Sequence, residues 1–299
     1  MPDPVPDDAN APAPPALRVF AHRRVALRYH ALAFVPLPGD DADLHRPGYV
    51  RAWRRTLAAG GVPDAELDAR VEAARAALAT VRGRLAAQVD VLADPTRVPA
   101  ADPLGLLETL LEPAHRLAWD EALEAVEVCR LGFAAGLQRR RALFAPLRQA
   151  GLERLDVQLC PSLRAAGRAA RCGATYAVAV PLPDDDTSSD AAFLQLVHEC
   201  CHPLADEALA PFLPPQGADT ARGSAGHAAH VLREDAALAI GRAWLRGDPA
   251  EAGRYLEWVA RFRSRERLAE RLDGALDLPQ AARGPVLARA ANVARTAGS

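Results

Sequence analysis

Two of the eight histidines in this 299-residue chain frame a glutamate, in His198-Glu199-Cys200-Cys201-His202. Chance produces roughly 0.01 such H-E-x-x-H pentapeptides in a chain of this composition. Histidines four residues apart on a helix lie about 40° apart around the axis, one above the other. Their imidazoles can converge on one ion at about 2.0–2.1 Å each. Glu199 follows the first of them, so its carboxylate lies near the same face without being a ligand. A carboxylate in that place can take a proton from a metal-bound water.

The motif needs a helix to hold it, and its flanks read as one. The run Ala191–Val197 is mostly apolar, as in a buried helix. Thr187-Ser188-Ser189-Asp190 has the form of a capping box, with Thr187 accepting from the backbone N–H of residue 190. Pro203 lacks the N–H that would reach the carbonyl of Glu199, so the helix is expected to end there. Cys200 and Cys201 fill the two variable positions and are expected to pack as small apolar groups.

A catalytic zinc takes three protein ligands and keeps one position for water. The third ligand is sought on Gly226–Gly241, which carries His227, His230 and Glu234. The two histidines precede Glu234 by seven and four residues, so all three share one helix face. Glu234 is the leading candidate and opens a mostly apolar stretch, and His227 and His230 are the alternatives. A histidine six residues after His202 is lacking, since Ala208 stands there.

A strand, a capped helix with His198-Glu199-x-x-His202 and a downstream helix with Glu234 resemble the gluzincin-type zinc metallopeptidases. The likeness covers about residues 174–241. Leu238 stands where many gluzincins carry an acidic residue four positions after the third ligand. The resemblance implies a zincin-like core, a bound Zn2+ with His198, His202 and Glu234 as ligands, and a peptide or protein substrate. Glu199 would be the general base, with a water activated by the metal attacking the amide carbonyl. His230 or His227 would stabilise the oxyanion, with Tyr255 as a weaker candidate. It also implies that the strand Thr175–Leu182, if it lies at a sheet edge, pairs with an extended peptide.

Bulk composition narrows the alternatives. Formal charge is −2 and all 36 basic residues are arginine, a pattern of GC-rich bacterial coding sequences. That balance favours neither nucleic acid nor an anionic membrane. Arg139-Arg140-Arg141 is read as a solvated helix face in preference to an anion patch. Five cysteines, odd in number and without paired CxxC spacing, argue against a disulfide framework. With no signal-peptide pattern and no long apolar run, a cytoplasmic location and no membrane partner are expected.

The expected fold is α+β, mostly α, with a small mixed or antiparallel sheet and many packed helices. Residues 1–16 read as a disordered leader and 17–150 as N-terminal strands plus a helical region. Residues 151–299 read as the metal-binding region, packed with 17–150 as one unit. Residues 17–36 read as one or two strands. Helices follow at Tyr49–Ala59, from Pro63 to about Leu92, and from Pro103 to about Gln149 with a break near Pro113. Leu155–Leu159 and Thr175–Leu182 read as strands expected to pair as a hairpin, with Gly167 or Gly173 as turn or bulge. Ser224–Gly247, Pro249–Gly274 and Leu278–Ala297 read as helices. A metal-stabilised helical binding or regulatory protein without hydrolytic activity is the alternative to an enzyme.

Overall fold

The computed structural model describes residues 13–35, 45–46, 48–78, 90–95, 103–164, 167–214 and 224–297. Most of the expected leader, the expected loop at 38–41 and residues 79–89 of the helix expected from Pro63 to about Leu92 lie outside them. The architecture is α+β and mostly helical, with one four-stranded mixed sheet.

The strands are β1 (Ala16–Phe20), β2 (Arg154–Cys160), β3 (Arg168–Cys172) and β4 (Thr175–Pro181), in spatial order β1-β2-β4-β3. β1 runs parallel to β2 and β2 parallel to β4, whereas β3 is antiparallel to β4. Both central strands bury both faces, as parallel strands do. Leu155, Val157, Leu159, Tyr176, Val178 and Val180 enter one core, and Cys160, Ala177 and Ala179 enter a second. The alternation follows the two-residue period of the pleat.

The expected hairpin between the second and fourth strands is therefore corrected. They are parallel neighbours, and the hairpin joins β3 to β4 through Gly173 at φ +60°. β3 reads Arg-Ala-Ala-Arg-Cys, which carries no β-branched or aromatic residue to signal a strand. β4 is interior, so the strand expected to bind peptide at a sheet edge is not one; the edge strands are β1 and β3.

Residues 17–36 are also corrected. After β1 the His22 side chain accepts from the Arg24 N–H and caps α1 (Arg23–Ala33). This helix is buried along most of its length, which hides any amphipathic period. It packs on β2 and faces the second core. His30 lies in it, fully buried, with Nδ1 2.9 Å from the Tyr49 hydroxyl, a structural position.

The next helices are α2 (Tyr49–Ala59), α3 (Asp64–Leu78) and α4 (Pro103–Arg139). α4 continues past Pro113 without interruption and stops at Arg139, where a 3-10 segment, Arg141–Ala150, takes over. Packing of α4 on α3, α1 and β1 outweighs the missing hydrogen bond at Pro113. Arg140 has internal partners, pairing with Glu251 at 2.8 Å and lying over the Phe193 ring, so the arginine triplet is not one solvated face.

Behind the other sheet face lie α5 (Asp186–Leu209), α6 (Ala225–Trp244), α7 (Pro249–Val259), α8 (Leu268–Asp273) and α9 (Gln280–Ala297). The single helix expected over 249–274 is two, separated by a turn with Arg267 at φ +48°. No helix among the described residues is long and apolar enough to cross a membrane.

Candidate metal centre

The helix α5 begins earlier and ends later than its sequence signals suggest. Its N-cap is Asp185, whose Oδ1 accepts from the Ser188 N–H, while Ser188 Oγ accepts from the Asp185 N–H. This capping box replaces the one expected at Thr187–Asp190. Asp190 instead stands within 4.0 Å of Arg140 and 3.9 Å of Arg254.

Pro203 does not end the helix, which continues to Leu209. The carbonyl of Glu199, deprived of its donor by the proline, accepts from the Tyr176 hydroxyl on β4 at 2.9 Å. A neighbouring strand thus supplies the hydrogen bond that the helix cannot. The motif sits mid-helix, pinned to the sheet.

Against this helix packs α6, capped by Ser224, whose Oγ accepts from the His227 N–H. Small buried residues, Ala236, Ala237, Cys200, Cys201 and Ala205, line the shared core and allow close approach. The crossing brings Glu234 onto the two motif histidines. His198 Nε2 lies 3.2 Å from Glu234 Oε2, and His202 Nε2 lies 3.7 Å from Oε1. Ligand atoms of His198, His202 and Glu234 all lie within 4.8 Å of one another, the one such group among the described residues.

These spacings suit an ion. Donors at about 2.0–2.1 Å from a tetrahedral centre stand about 3.3 Å apart. Two imidazole nitrogens and a carboxylate oxygen are also a donor set that a borderline cation accepts. The residues present fit a divalent metal.

Without an ion, burial favours the neutral form of Glu234. The hydrogen bond with His198 and the charges of His198, His202 and His230 outweigh burial and hold its carboxyl well below the usual carboxylate range. Burial likewise opposes protonation of both motif histidines. Glu234 overcomes it at His198, which is raised, but not at His202, which is lowered.

His230 approaches Glu234 from the solvent side, its Nδ1 3.8 Å from Oε1 and its side chain 61% exposed. His227, one turn earlier, stands outside the cluster. Tyr255 is corrected as an oxyanion donor: it is fully buried beneath α6, with its hydroxyl directed at the Leu238 carbonyl. Cys200 and Cys201 are fully buried, and burial pushes both thiols up. Asp206 pairs with Arg233 at 2.7 Å.

Glu199 is 8% exposed. Its Oε1 accepts from Gln195 Nε2 at 2.8 Å, and its charge is felt by both motif imidazoles. His198 Nδ1 is buried without a partner, and the ring of Trp258 lies 5.5 Å from the imidazole. Leu238, in the place of the acidic residue, is a core residue.

Tyr176, Gln195 and Trp258 were not singled out by sequence, and Gly167 was read only as a turn or bulge. Only Gln195 carried a signal, as the lone amide in the apolar run Ala191–Val197.

No family model, curated protein or solved structure matches this chain.

Proposed function

We propose that the chain is a zinc-dependent hydrolase, most simply a cytoplasmic metallopeptidase of gluzincin type that cleaves peptide or protein substrates. The observation that carries this reading is the convergence of His198, His202 and Glu234 beside Glu199. Zinc, when bound, supplies a Lewis acid and a water of lowered pKa. Glu199 takes the proton from the attacking water and passes it to the leaving amine. His230, exposed at the mouth of the site, supplies a donor to the carbonyl oxygen. Removing a donor of that kind typically costs about 10²–10³ in kcat.

The edge strand β3 gives an extended substrate a row of backbone partners. Its entry residue Gly167 packs against Glu199, so a peptide added there runs past the general base.

The test is elemental analysis followed by hydrolysis of a quenched fluorescent peptide library. Wild type is expected to hold one zinc and to cleave. Glu199→Gln is expected to keep the zinc and lose cleavage. Wild-type protein purified without chelators but lacking stoichiometric metal would end this reading.

A second reading is a metal-stabilised helical protein with no hydrolytic role. The burial of Glu199 is the observation in its favour. It requires zinc to raise stability while neither wild type nor Glu199→Gln cleaves any peptide.

A further inference from the structure

Gln195 lies one helical turn before Glu199, on the same face. It is 5% exposed, and a buried amide needs a partner. The partner is Glu199: Gln195 Nε2 donates to Oε1 at 2.8 Å. A hydrogen bond to a charged acceptor is among the stronger kinds.

Gly167 packs against the same carboxylate. A Cβ built on it would meet Glu199 Cγ at 2.8 Å and Oε1 at 2.9 Å. It would also lie 3.0 Å from the backbone carbonyl of Ala179, in the centre of the sheet. Neither neighbour can give without moving the strand or the carboxylate. Glycine is therefore the residue that lets the start of β3 lie flat against Glu199.

We infer that Gln195 and Gly167 are positioning residues for Glu199. The amide holds one carboxylate oxygen, the glycine wall fixes the rotamer, and Oε2 remains as the atom that exchanges a proton. Reacting groups must be held within about half an ångström of their working geometry, and this pair supplies that restraint. The chemical consequence rests on the hydrolytic reading above, whereas the hydrogen bond does not.

Two variants test the pair by different routes. Gln195→Met keeps the volume and removes the donor. Gly167→Ala keeps the donor and pushes on the carboxylate. Each is expected to retain zinc by elemental analysis and to lower kcat about 10–100-fold at unchanged KM. Because both act on one side chain, the double variant should fall by less than the product of the two. A kcat left unchanged in both folded, zinc-loaded variants would overturn the inference, as would a loss confined to KM.

A readout independent of activity uses the Gln195 side-chain amide in the 15N NMR spectrum of the zinc-loaded protein, identified by its absence in Gln195→Met. The expected result is a signal slow in hydrogen exchange that becomes fast in Glu199→Ala. An amide indifferent to Glu199→Ala would show that the bond is not made. If wild type cleaves no library peptide, the hydrolytic reading fails, and the amide signal by itself decides whether Gln195 holds Glu199.

Discussion

The hydroxyl of Tyr176 donates to the carbonyl of Glu199 at 2.9 Å, the carbonyl that Pro203 leaves without a helical donor. Three consequences follow from this one contact. The helix survives its proline, the turn bearing the motif is fixed to the sheet, and a buried carbonyl is satisfied.

Removing the hydroxyl isolates the effect. Tyr176→Phe should cost about 1–3 kcal/mol of stability, the cost of a buried unsatisfied group. Pro203→Ala restores the helical N–H. In that background Tyr176→Phe should cost clearly less, and a double-mutant cycle by denaturant unfolding measures the difference. Equal costs in the two backgrounds would show that the hydroxyl does not replace the lost donor.

Metal loss should follow the geometry of the cluster. His198→Ala, His202→Ala and Glu234→Ala are each expected to weaken zinc binding by more than the about 10–100-fold typical of outer groups. His227→Ala should leave affinity unchanged, and His230→Ala should change it little, since its side chain is 61% exposed. Competition titration with a chromogenic chelator ranks the five variants. A His227→Ala loss as large as that of Glu234→Ala would reassign the third ligand.

A second histidine group should govern acid stability. Burial lowers His115 and His45 to about 4 from 6.5. A group held below its unfolded pKa contributes stability that is complete above about 6.5 and is lost as pH falls toward about 4. His115 is 6% exposed and packs with Trp119 and His30. His115→Phe preserves a ring without a titrating nitrogen. Its stability should fall less steeply than that of wild type between pH 6.5 and 4, with up to about 3 kcal/mol of difference at the lower end. Parallel curves would remove His115 from the account.

The start of α5 can be located by substitution. Asp185→Ala removes the N-cap acceptor of the Ser188 N–H and should cost about 1 kcal/mol. Thr187→Ala, at the cap read from sequence, should stay within about 0.5 kcal/mol. Thermal or denaturant unfolding distinguishes the two, and the reverse order would restore Thr187 as the cap.

Sequence by itself determined the local quantities of this protein. A spacing of four placed His198 and His202 on one helix face, because that face repeats at 3.6 residues. Alternation announced β2, an apolar run announced β4, and Glu234 stood out as a carboxylate opening a mostly apolar stretch of its helix. Sequence also over-read local signals. It stopped α5 at Pro203, broke α4 at Pro113 and made strands of α1, because propensity describes an isolated segment and packing overrules it.

Tertiary structure alone decided what depends on distant partners. Tyr176 is 27 residues before Pro203, and no local pattern links a strand hydroxyl to a helix carbonyl. Strand order is of the same kind: β4 reads as a strand in sequence, but its place between β2 and β3 comes from burial of both its faces. The choice of Glu234 over His227 and His230 came from the crossing of α5 and α6. All three share a helix face, yet only one stands at the depth where the motif imidazoles converge.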